Sequence, residues 1–398
     1  MDLATCLAIP RIIKSFTEIL KRLPRYLGFH PFGLMTLIQP PADEVLDRAA
    51  ALLAAGKLIA IPTETVYGLA ANAWDRDAVA KIFAAKQRPA TNPLIVHIAA
   101  IDQMDRAVMM PLAPELQRQL DCVVDLWPGP LTVVLPRSNR ISDVVTAGRD
   151  TVAVRIPSHP VALRLLRRCP FPIAAPSANR SNYVSPTMAQ HCDGAMDQPG
   201  IHQFIEMVID GGDCDFGVES TIVALRPEGP RLLRPGGVAA ETLAERFGIT
   251  VPQLTGEQLP GLHLTGTPLT DAVAESAAEA GATADGTAAM LAPGMMKEHY
   301  SPTTPLMLYD TARPMSLPAR AGRIAFKPLS VQEAACYAAV ETLSDSGDLH
   351  EVAKGLFAAL RRLDHAELDL IVIDCCEPVG IGMAIMDRIH RAAATHSK

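Results

Sequence analysis

Two hydrophobic periods alternate along this chain, and the switches between them mark its elements. Residues 42–55 place Val45, Leu46, Ala49, Leu52 and Leu53 on one face of a helix that Gly56 ends. The apolar run at 58–61, bounded by Gly56 and Pro62, predicts a strand buried on both faces. From Asp75, a suitable cap, Val79, Ile82 and Phe83 recur at helical spacing until Pro89. LIVHI at 94–98 predicts a strand, 111–120 a helix opened by Pro111 and Pro114, and 127–136 a turn leading into a β-rich strand. Further strands are expected at 151–157, ahead of 176–179, at 207–212, at 217–225 and from 231, with a helix at 160–168. Between 247 and 296 there is no Lys or Arg, whereas Glu257, Asp271, Glu275, Glu279 and Asp285 are scattered among Ala, Gly and Thr, the pattern of a linker. Beyond it, strands at 305–310, 322–328 and 369–374 alternate with helices near 332–341, 349–363 and 380–394, which predicts a smaller parallel α/β layer.

Length and composition narrow this picture. A chain of 398 residues exceeds the usual single-domain size, so two domains are expected, and 49% hydrophobic with 20% charged residues excludes disorder throughout. The predicted division is 1–34 as an N-terminal extension, either not native to the protein or a loosely held tail, 35–250 as the main domain, 251–304 as linker with a lid segment at 293–302, and 305–398 as the second domain. The first of these rests on Arg11, Lys14, Lys21, Arg22 and Arg25 outnumbering Asp2 and Glu18, and on Met35 standing just before the regular pattern. A net charge of −7 argues against a general nucleic-acid coat and leaves room only for a local basic face. The 8 cysteines form no CxxC and no Cys/His cluster of zinc spacing, so no protein-held metal is expected and a reducing, cytoplasmic compartment fits. No run approaches the roughly 20 apolar residues of a membrane-spanning helix, so no membrane partner is expected.

Candidate chemistry gathers at strand ends. Thr63, Glu64 and Thr65 follow the buried strand, where open α/β sheets commonly place their sites, although a turn with a capping Thr has the same composition. Lys86 and Arg88 leave the helix ahead of PATNP and suit an anion or simply complement the helix dipole. His97 lies within a strand, where a structural histidine is the commoner case. Arg155 interrupts an apolar strand and fits either a carboxylate or phosphate clamp or a salt bridge at the sheet edge. Ser177 and Asn179 read as ligand contacts or turn formers, and Arg234 as a site cation or an exposed turn residue.

Order is more specific than chemistry. PTETVYGL at 62–69, KQR at 86–88, NPLIVHI at 92–98, PSAN at 176–179, EST at 219–221 and RPGG at 234–237 together resemble the YrdC-like family, and GMMKEHYSP at 294–302 extends the likeness to its long two-domain form. The resemblance implies a twisted open mixed sheet with flanking helices and a smaller Rossmann-like C-terminal domain. It implies that L-threonine, bicarbonate and ATP become threonylcarbamoyl-AMP and pyrophosphate, feeding a tRNA-modifying transferase, with Mg2+ accompanying ATP. By motif position it assigns threonine binding to Thr65, His97, Arg155, Ala175 and Ser220. It assigns ATP binding to Lys86, Arg88, Asn92, Thr151, Ser177, Asn179, Ser185 and Arg234, with Lys86 and Arg88 also catalytic and Tyr300 as a lid contact. Two other readings carry over: a noncatalytic RNA-binding module with weak tRNA contact, which the net acidity disfavours, and a carbamoyl-adenylate-forming maturation enzyme, whose zinc-finger cysteines are missing here.

Overall fold

The computed structural model describes residues 37–193, 201–256, 290, 292–293, 300–309 and 317–394. The expected extension at 1–34 and most of the linker lie outside the described residues. Ten strands form one mixed sheet: β1 (Ile38–Gln39), β2 (Leu58–Ile61), β3 (Gly68–Asn72), β4 (Ile95–His97), β5 (Leu131–Pro136), β6 (Thr151–Arg155), β7 (Ile173–Ala174), β8 (Ile205–Ile209), β9 (Thr221–Ala224) and β10 (Arg231–Arg234). Their order is β1-β8-β2-β3-β7-β4-β6-β5-β9-β10. The apolar run at 58–61 becomes β2, buried at all four positions between β8 and β3, as a strand covered on both faces must be.

Flanking helices follow from the predicted stripes. Asp43–Ala54 turns Leu46, Ala49 and Leu53 onto the sheet, and full burial of each leucine contributes roughly 1.5–3 kcal/mol. Gly56 then supplies the positive φ of 69° that redirects the chain into β2. Asp75 caps the helix Arg76–Lys86, its carboxylate accepting from Asp77 N and Ala78 N at 3.0 Å. The main domain continues past residue 250: Val251–Thr255 is a short helix with a capping box at Thr250 and Gln253, and its Leu254 is fully buried in the core.

A second sheet, entirely parallel, joins β11 (Leu306–Leu308), β12 (Ala321–Ala325), β13 (Ala339–Thr342) and β14 (Leu370–Ile373) in the order β11-β14-β12-β13. Helices Leu349–Asp364 and Ile381–Ala393 pack against it where the sequence pattern places them. The helix expected near 332–341 is a correction: only Val331–Ala334 is helical, and β13 follows. Pairing of Ala339–Thr342 with β12 overrides the helical preference of this alanine-rich stretch, and alternate exposure along β13 marks it as an edge strand.

Candidate functional site

The strand ends converge on one cavity, whose empty space together with its open mouth is about 540 Å³. On one side, parallel pairing of β4 with β6 sets His97 beside Arg155. The loop after β2 closes on itself: Thr63 Oγ1 donates to Val66 O at 2.6 Å and accepts from Val66 N at 3.2 Å. With that proton committed, Thr65 donates its own to Thr63 across 2.9 Å and accepts from Arg155 Nη1, also at 2.9 Å. Arg155 further donates through Nε to Gly129 O at 3.2 Å and stands 2.7 Å from Glu64 Oε1, an ion pair by distance without the alignment of a hydrogen bond. Its Nε and Nη1 thus make hydrogen bonds within the protein, while Nη2 lies against Glu64 and the residue lines the cavity.

Burial and charge set the protonation states here. Burial pushes the Glu64 carboxyl up, but the Arg155 guanidinium outweighs it and holds the acid below the usual carboxylate range. His97 is driven down to about 3 by burial, with Arg155 adding to the effect, so the imidazole is neutral at physiological pH. Its Nδ1 is buried without a hydrogen-bond partner among the described residues.

Two more guanidinia face the other side. Gln87, in the left-handed conformation with φ 50°, ends the helix so that Arg88 turns into the cavity while Lys86 stays on the helix. Arg88 is braced by Asn92, through Nε to its carbonyl at 2.9 Å and Nη2 to Oδ1 at 2.6 Å. Burial lowers its pKa to about 9, with the Arg234 charge adding to the shift and Tyr300 opposing it. Arg234, on β10, donates to Ser220 O at 2.8 and 3.1 Å and to Ser220 Oγ at 3.2 Å. Ser220 also meets Thr132 Oγ1 at 2.8 Å. Gly236 lets RPGG lie this close to EST, since a Cβ there would fall 2.3 Å from Glu219 O and Thr221 N. Tyr300, 1% exposed and at φ 64°, covers the cavity and stacks on Phe357 with ring centroids 5.5 Å apart.

Of the sequence-selected residues, Thr65, Arg88, His97, Arg155, Ala175, Ser177, Ser220, Arg234 and Tyr300 line this cavity, and Lys86, Asn92, Thr151, Asn179 and Ser185 do not. Lys86 Nζ donates to Ser177 O at 2.6 Å and to Asn179 O, tying the helix to the PSAN loop. Asn179 donates to Arg180 O and Tyr183 O at 2.9 and 2.7 Å, while Ser185 donates to Glu219 Oε1 at 2.6 Å. Thr151 opens β6, paired with Pro136. Sequence reasoning missed Glu219, adjacent to Ser220 in the EST motif, and Arg388, for which no local pattern exists. Arg388 reaches from the helix Ile381–Ala393 to within 2.8 Å of Glu219 Oε2.

Comparison with known proteins adds the family. The Sua5_yciO_yrdC family model, described as Telomere recombination, matches residues 51–236, and the Threonylcarbamoyl-AMP synthase C-terminal domain matches residues 258–394. The threonylcarbamoyl-AMP synthase of Pyrococcus abyssi is 38% identical over 353 residues, covering 87% of this chain and 93% of the relative. This chain belongs to the threonylcarbamoyl-AMP synthase family. The family member of Bacillus subtilis is 37% identical, over 88% of this chain and 93% of its own. The fold matches the crystal structure of P. abyssi Sua5 complexed with L-threonine with a TM-score of 0.70 at 34% identity, covering 89% of this chain and 97% of that one. As a member of the synthase family, the chain shows no cluster of three or more His, Cys, Asp or Glu able to hold a metal among its described residues. Nor does any helix among them have the length and apolarity to cross a membrane.

Proposed function

We propose that this protein condenses L-threonine, bicarbonate and ATP into threonylcarbamoyl-AMP and pyrophosphate, a nucleotidyl transfer supplying a cytoplasmic tRNA-modifying transferase. The observation that carries the reading is the division of one cavity into two chemically distinct sides. On the threonine side, the Arg155 guanidinium suits a carboxylate and Thr65 and the neutral His97 suit a hydroxyl and an amine, with Ser220, held by Arg234, where the two sides meet. On the nucleotide side, burial lowers the pKa of both Arg88 and Arg234, with the Arg234 charge adding to the shift of Arg88, and a triphosphate would compensate these desolvated cations.

In this reading the threonine amine adds to bicarbonate with loss of water, and a carbamate oxygen attacks the α-phosphorus while pyrophosphate departs. The protein contributes mainly by holding the two reactants in line and stabilising charge on the phosphates. Lys86, Asn92, Asn179 and Ser185 act on ATP through the groups they brace. Mg2+ would enter with the triphosphate, held largely by phosphate and water oxygens, because the nearby carboxylates of Glu64 and Glu219 are already engaged by arginines. Tyr300 and Pro293 over the cavity help exclude water from an intermediate that hydrolyses readily. Pyrophosphate release should require ATP, L-threonine and bicarbonate together. Release that proceeds equally without threonine would refute the assignment.

A further inference from the structure

The second domain does more than cover the cavity. Arg388, fully buried, donates Nε to Glu219 Oε2 at 2.8 Å and Nη2 to Pro235 O at 3.0 Å, and its Nη1 pairs with Asp387 at 2.5 Å. Its guanidinium also lies 5.1 Å from the centre of the Tyr300 ring. Glu219 in turn accepts from Ser185 at 2.6 Å and directly precedes Ser220, to which Arg234 is anchored. One arginine of the second domain therefore touches the backbone of RPGG, the carboxylate of EST and the ring above the cavity. A second, Arg361, donates to Val184 O next to Ser185 and lies 5.0 Å from the Tyr183 ring.

We propose that Arg388 is a positioning residue for the nucleotide side of the site: by occupying Glu219 it leaves Arg234 free to meet phosphate. Glu219 is buried in the cavity wall and has two cationic neighbours, Arg388 and Arg234. With Arg388 in place the carboxylate is satisfied from outside the cavity, and Arg234 keeps Nε and Nη2 on Ser220 and Nη1 at the cavity lining, 3.5 Å from Pro293 O. Without it, the same carboxylate would draw Arg234 away as its only close cation among these neighbours, since an unpaired buried charge is the costliest alternative. Ser185 and the loop behind Ser177 would lose their fixed anchor at the same time. The inference rests on the proposed reading of this cavity as an ATP and threonine site, and it assigns the second domain a share in nucleotide handling.

The test uses the full chain with Arg388→Met, Arg388→Lys and the double variant Arg388→Met with Glu219→Gln. Threonine-dependent pyrophosphate release is measured as a function of each substrate, alongside hydrogen exchange of the 177–187 and 218–221 amides. Arg388→Met should raise KM for ATP about tenfold or more and KM for threonine less than about threefold, and speed exchange in both segments. Arg388→Lys, which keeps the cation, should lie between it and the wild type. The double variant, lacking the orphaned carboxylate, should bring KM for ATP back to within about threefold of wild type even if Arg388→Met alone folds poorly. A fall in kcat with both KM values unchanged, or a double variant no better than the single one, would overturn the inference. An inactive wild type would instead refute the functional reading, and unchanged exchange in Arg388→Met would still refute the positioning role.

Discussion

Arg155→Met separates the structural and ligand-binding roles of one buried guanidinium. The substitution leaves Glu64, 2% exposed, without its partner, and breaking a buried pair in this way costs about 3–5 kcal/mol. At roughly 2–4 °C per kcal/mol for a large domain, Tm should fall by about 6–20 °C. Adding Glu64→Gln removes the orphaned charge and should recover most of that loss. Threonine recognition should not recover, because charge-assisted bonds to a carboxylate, worth about 1.5–3 kcal/mol, vanish in both variants and raise KM for threonine roughly 10- to 150-fold. Thermal melts and steady-state kinetics on the two variants, with ATP saturating, give both numbers. A double variant that regains stability and near-normal KM for threonine would show that Arg155 serves only to neutralise Glu64.

Arg88→Ala should raise KM for ATP by roughly 10- to 150-fold with a much smaller effect on threonine, read from the same kinetics, since it removes one of two guanidinia facing the nucleotide side. His191 accepts from Thr187 N through Nδ1 at 3.1 Å, and its pKa is lowered to about 3 by burial and by Arg361. The unfolded chain therefore binds protons that the folded one refuses as pH falls below about 6.5, so His191 and His97 should each cost about 1.4 kcal/mol of stability per pH unit. Urea titrations at pH 7, 6 and 5 should show this loss, to which the lowered His159 and His390 add, and the slope should be smaller by about 1.4 kcal/mol per pH unit in His191→Asn, whose Oδ1 can replace the Nδ1 acceptor. Glu64 and Glu219, held below their usual range, add to the loss only below about pH 4.5. Gly236→Ala should destabilise the fold by about 1–3 kcal/mol or more and weaken both substrates, as the new Cβ would meet backbone on the 219–221 segment; a melt and kinetics like the wild type would contradict this.

Elements governed by local pattern were legible in the sequence. β2 and the helices at Asp43–Ala54, Arg76–Lys86, Leu349–Asp364 and Ile381–Ala393 follow from apolar periodicity with clear start or stop residues. β3 and β13 were not, because Gly68–Asn72 and Ala339–Thr342 owe their strand form to neighbours distant in sequence. The motifs found the site but could not separate residues that face the cavity, such as Arg88, from those that brace it, such as Lys86. Both are buried cations two positions apart, and only the left-handed turn at Gln87 sends them different ways. The Glu219–Arg388 contact spans 169 residues and two domains, beyond any periodicity.

In the proposed reaction one cavity joins an amino acid to a nucleotide through a carbon taken from bicarbonate. Incubating the protein with ATP, L-threonine and 13C-bicarbonate and analysing the products promptly by mass spectrometry tests it most directly. A threonine–AMP adduct carrying the labelled carbon, formed with stoichiometric pyrophosphate and much reduced in Arg155→Met, is the predicted result. An adduct without the label, or pyrophosphate release with no adduct at early times, would contradict it.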